Sequence, residues 1–255
     1  MTTTNGTEQT PEANTWMSGF MQIVRTPAGL DALRGANVIR VVAMALMIYT
    51  AAFVANAYVS FTNASLRKQS YDLMMSVPHA PDAKLPAMAT EFSFTGTIAT
   101  GLFQNALIPL FAVSILFFLI HRIFARTPLG FTTVLAICAY SLSIVALGMI
   151  ATALVQSITG SITTTFSLGV LVPSSQNLLL FSILSKIDIF MMWQYWAVAT
   201  AIASYTGMQQ QQRIGTATLS FIISATFIAT FTFSLYSLAE QQLKSLNTMQ
   251  QETVR

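Results

Sequence analysis

Charged residues in this chain are confined to gaps between long uncharged runs, at 41–66, 92–120, 127–185, 189–212 and 214–239. Lipid offers a backbone no hydrogen-bond partner, so a hydrocarbon core of about 30 Å is crossed by about 20 mostly apolar helical residues. Each run is long enough for one such helix. The pattern therefore predicts an all-α polytopic transmembrane bundle with spans over about 38–61, 97–120, 131–156, 189–207 and 214–238.

Polar and special residues inside the runs refine those elements. Gln104 and Asn105 stand one turn before Pro109, whose missing N–H leaves the Asn105 carbonyl without its helical partner and predicts a kink. Lys186 and Asp188 divide a short apolar helix from the fourth span. Asp188 is the natural N-cap, because its carboxylate accepts first-turn N–H groups at the positive end of the helix dipole. Trp193, Tyr195 and Trp196 fall in the first two turns, where an aromatic belt meets headgroups, and Gly207 is placed for a left-handed C-cap. The fifth span carries small residues four apart, Thr216, Ser220 and Ser224 on one row and Thr226, Thr230 and Ser234 on another, which let helices approach closely.

The flanks are short. Residues 1–15 read as a disordered polar tail without the basic start of a signal peptide. Residues 16–37 read as an amphipathic interfacial segment with Trp16, Phe20, Ile23 and Val24 at helical spacing, and 240–255 as a polar C-terminal tail. The membrane domain is 38–239. Between its first two spans, 62–89 reads as an irregular loop with Pro78, Pro81 and Pro86.

Composition changes little in this picture: 54% of residues are hydrophobic and 8% charged, against about 25% charged in soluble domains. The net charge of +3 is too small and scattered to point to nucleic acid, and it suits Arg and Lys meeting anionic headgroups. Cys138 stands alone, so one chain builds neither a disulfide nor a cysteine metal site. Arg25, Arg34 and Arg40 precede the first span and Arg122 with Arg126 occupy a tight turn, which orients the N-terminus to the cytoplasm.

Around the fourth span the residues resemble a known family. Asp188, Phe190 and Trp193, spaced Asp-x-Phe-x-x-Trp, with a helix-ending Gly207, are similar to the fourth-span region of the Ypt-interacting-protein (Yip) family, prokaryotic branch. Ile23-Val24-x-x-Pro27 with Leu30 and Leu33 resembles its amphipathic N-terminal segment, and Tyr140 an aromatic of its third span. The proline that follows that aromatic in the family is absent, as is the Asp-Leu-Tyr-Gly-Pro motif of eukaryotic members. The resemblance implies five spans, a cytoplasmic N-terminus and an accessory role in a bacterial cytoplasmic membrane.

The residues offer no catalytic constellation, metal site or cofactor site. Lys186 and Asp188 read as a cap and headgroup anchors near an interface rather than as a proton relay, since they point to different helix faces. His121 beside Arg122 reads as a solvated interface histidine, and neither it nor His79 is deep enough for a haem ligand. Asn63-Ala64-Ser65 matches a glycosylation pattern on the outer side. The expected function is a non-enzymatic membrane scaffold or accessory protein, working with the bilayer and with other membrane proteins or copies of itself. Its structural candidates are Asp188, Phe190, Trp193, Trp196, Gly207 and Pro109. The alternative is a transporter or channel subunit, for which Gln104, Asn105 and Tyr140 would converge on a polar path.

Overall fold

The computed structural model describes residues 37–75, 91–125, 129–172 and 177–253. The expected tail 1–15, nearly all of the interfacial segment, His79 with the three loop prolines, and Arg126 lie outside them. The described chain forms helices α1 (Val38–Thr62), α2 (Ala64–Met75) and α3 (Phe94–Ala99), a π-helical stretch Thr100–Leu107, then α4 (Ile108–Phe124) and α5 (Phe131–Thr159). A 3-10 turn Leu168–Leu171 leads to α6 (Leu178–Leu184), α7 (Ile189–Thr206) and α8 (Gln210–Thr253). Among the described residues there is no strand, only one antiparallel bridge between Ser167 and Asp188.

Four helices are long and apolar enough to cross a membrane: Val38–Thr62, Phe94–Phe124, Phe131–Thr159 and Gln210–Ser234. The fourth expected span is helical, as α7, but is not among them. Its 18 residues include Gln194, Tyr195, Thr200 and Thr206, all buried against neighbouring helices rather than exposed to lipid. Hydrogen bonds within the bundle satisfy such groups, so α7 does not need the hydropathy of a lipid-facing span. One further expectation is corrected. Part of the loop 62–89 is helix α2, capped by Asn63, whose Oδ1 accepts from Ser65 N at 3.0 Å. Over the expected polar tail, residues 240–253 continue α8 as helix.

The central element is α5, because 67% of its most apolar stretch is buried, against 28% for the first two spans and 17% for α8. Its most extensive pairing is with α1, and it also packs on α4 and α7. Ala136, Ala139, Ala199 and Ala201 keep those contacts close. Ser65 Oγ and Gln69 Nε2 both donate to Gly160 O, at 2.9 and 2.7 Å, tying the end of α5 to the α1–α2 corner, so α1 and α5 run parallel. Gln194 Nε2 donates to Ser141 Oγ at 3.2 Å and Phe190 lies against Gly148, which makes α7 antiparallel to α5.

Those contacts also show how the chain reaches the start of α7. After Gly160 it turns back into the bundle, where Ile189 N donates to Phe166 O at 3.2 Å and Leu168 N to Ile187 O at 2.9 Å. Phe190 meets α5 at Gly148, about 16 Å below the end of that helix at ~1.5 Å per residue. Asp188 therefore lies well inside the helical layer and not at its edge.

Candidate functional site

Local chemistry builds the floor of the site. Pro109 has no N–H for the turn before it, and the kink expected there takes the form of the π-helical stretch that ends at Leu107. Within that wider turn Asn105 Nδ2 donates to Thr100 O at 3.1 Å. At the start of α7, Asp188 is the N-cap and its Oδ1 accepts from Met191 N at 2.6 Å. Gly207 ends the helix at φ 65°, a left-handed conformation that costs other residues strain.

Between α1, the π-helical stretch with α4, α5, α6, α7 and α8 lies a partly open cavity of about 730 Å³. Its polar lining includes Tyr49, Asn105, Lys186, Asp188, Gln194 and Tyr195, with the hydroxyls of Ser182 and Thr232, and its apolar lining includes Pro109, Val113, Val145, Met191 and Phe231. A recess of about 70 Å³ continues past Asn105 and Gln194 to Cys138 and Leu142. Depth follows from the helices themselves. Pro109 and Val145 are the middle residues of Phe94–Phe124 and Phe131–Thr159, and Tyr49 adjoins the middle of α1. The cavity is therefore level with the centres of three spans.

Its walls differ. Tyr49, Gln194 and Tyr195 are buried on the inner side, where Tyr195 OH donates to Ser224 Oγ and Gln194 to Ser141. Phe227 and Phe231, stacked with centroids 6.1 Å apart, are 69% and 56% exposed. The cavity thus opens through the side of the bundle that carries these rings. A separate groove of about 640 Å³ between α1 and α3, lined by Met47, Val54, Phe94 and Ile98, contains no charged side chain.

Several sequence expectations change at this site. Lys186, which is exposed, and Asp188, which is half-buried, share the cavity with Tyr49 and Val145, because the chain folds back before α7 begins. Of the three residues proposed to converge on a polar path, only Asn105 lines the cavity. Gln104 is exposed on the outer face, and Tyr140 is buried in the core without lining the cavity. Tyr195 leaves the aromatic belt for the core, since its helix position turns it toward α4 and α8, while Trp196 stays 40% exposed with Arg213 5.1 Å over its ring. Trp193 is half-buried beside Phe190, at 6.5 Å between ring centroids.

His121 is a further correction, being fully buried rather than solvated. Leu129 N donates to its Nε2 at 3.0 Å, so Nδ1 carries the hydrogen and donates to Phe117 O at 2.9 Å. The ring thus bridges the tight α4–α5 turn. Sequence reasoning also missed Tyr49 and Gln194, although each is a polar side chain within an uncharged run.

No family model, curated protein or solved structure matches this chain.

Proposed function

We propose that this membrane protein takes a small solute with a polar head and an apolar body into the cavity at mid-bilayer depth, as a transporter or channel subunit. One observation carries the reading. Tyr49 from α1, Asn105 from the π-helical stretch, and Asp188 with Gln194 from α7 meet in one cavity level with the centres of three spans. Polar groups at such depth are costly and mark ligand pathways by default. A cavity of this size lies within the range of about 300–1,000 Å³ of small-molecule sites. The π-helical stretch beside Asn105 supports the same reading, because broken helices at mid-depth form solute sites in transporters. In the topology we propose, the inward leg and α7 together make the fourth crossing, which gives five crossings with a cytoplasmic N-terminus.

Thiol accessibility tests this reading. In a Cys138→Ala background, Asn105→Cys and Gln194→Cys should react with a small water-soluble thiol reagent. Gln104→Cys, the neighbour on the outer face, should react only with a lipid-soluble one. Equal and negligible labelling of all three by the water-soluble reagent would remove the solute site. It would leave the membrane scaffold implied by the Yip resemblance. That second reading has its own support in the exposed row Thr226, Thr230 and Ser234 on α8, which is free to pack against another membrane helix.

A further inference from the structure

Lys186 and Asp188 both line the cavity, yet no ion pair joins them. Among the described residues no cationic nitrogen lies within 4.0 Å of a carboxylate oxygen. Lys186 is exposed and Asp188 half-buried, and neither charge is neutralised by the other. The Asp188 carboxylate accepts from the Met191 N–H with the Phe190 N–H also directed at it, and no hydrogen bond engages the Lys186 ammonium. A ligand of one sign would satisfy one of these groups and be repelled by the other.

We propose that the cavity recognises a zwitterion on an apolar body, with its anionic group at Lys186 and its cationic group at Asp188. This inference rests on the solute-site reading above and names the class of solute. The neutral amides of Asn105 and Gln194 supply donors and acceptors suited to either end of such a head. The apolar body has Val113, Val145, Met191 and Ile228 to lie against. Zwitterionic chemistry reaches the cavity from two sources. A zwitterionic phospholipid enters from the bilayer past the exposed Phe227 and Phe231, with its acyl chains remaining in the opening. A free amino acid with an apolar side chain enters from water.

Binding to the full chain in nanodiscs of phosphatidylglycerol tests the proposal, with probes that share a body and differ in charge. One arm compares phenylalanine with phenethylamine and 3-phenylpropionate. The other compares short-chain dihexanoylphosphatidylethanolamine with its phosphatidylglycerol counterpart. In at least one arm the zwitterion should bind tenfold or more tightly than its singly charged relatives, and the arm identifies the source. Asp188→Asn keeps a side chain able to cap α7 and should erase the preference over the anion. Lys186→Met should erase the preference over the cation.

Binding that ignores charge, or that survives both substitutions unchanged, overturns the zwitterion while leaving a solute site. Absence of binding by every probe also overturns it, and thiol accessibility at Asn105 and Gln194 then decides separately whether the solute site stands.

Discussion

Phe190 presses its ring onto Gly148 so closely that a Cβ added at position 148 would lie 2.6 Å from Phe190 Cγ. This contact fixes the depth at which α7 begins, and with it the placement of Asp188 in the cavity. Gly148→Ala forces either the ring or the helix to move, and overpacking of this kind costs about 1–3 kcal/mol. Thermal unfolding in mild detergent should show the loss, and adding Phe190→Ala should recover part of it. Strictly additive effects of the two changes would mean that the contact does not set the α5–α7 spacing.

Asp188→Ala removes the acceptor for Met191 N–H and should destabilise the protein by about 0.5–2 kcal/mol, the usual value of an N-cap. Asp188→Asn should melt close to the parent protein while losing affinity for a cationic group. A melting loss from Asn as large as that from Ala would assign the carboxylate a charge-dependent structural role instead.

Cap chemistry was legible because it is local: Asp188 and Met191 are three residues apart, and Gly207 follows the last apolar turn of α7. Pro109 likewise announced a disturbed helix, although not that the disturbance would be a π-helical stretch. The cavity was not legible, since Tyr49, Asn105, Asp188 and Gln194 meet only through helix packing and through the return of the chain after Gly160. His121 was misplaced for a related reason. Its partner Leu129 lies eight residues on, across a turn, and hydropathy counts a histidine beside Arg122 as interfacial. Of the expected spans, α7 is the one not among the four helices apolar enough to cross a membrane, because burial within protein replaces the apolar composition that lipid contact demands.

His121→Ala should leave the half-buried Leu129 N–H without its acceptor, a loss of about 1–3 kcal/mol. Because the ring also fills core space beside Phe118, the measured destabilisation should reach at least that range. An unchanged melting temperature would show that water reaches the turn and replaces the ring.

The orientation of the helices yields the last prediction. Parallel α1 and α5, antiparallel α7 and a reversal at Gly207 place the start of α8 beside the end of α4, where Phe124 Cζ lies 3.7 Å from a Cβ built at Gly215. Both belong to the side on which α1 begins, which is the cytoplasmic side in the proposed topology. The apolar part of α8, Gln210–Ser234, then returns the chain to the opposite side. Reporter fusions after Gln210 should therefore be cytoplasmic, and fusions at Arg255 should be external. Fusions placed near Thr159 should also be external, because the leg that follows dips inward from that face before α7 completes the crossing. If Gln210 and Arg255 report the same compartment, α8 lies along the membrane rather than through it. The wall of Phe227 and Phe231 would then not line an opening to the bilayer.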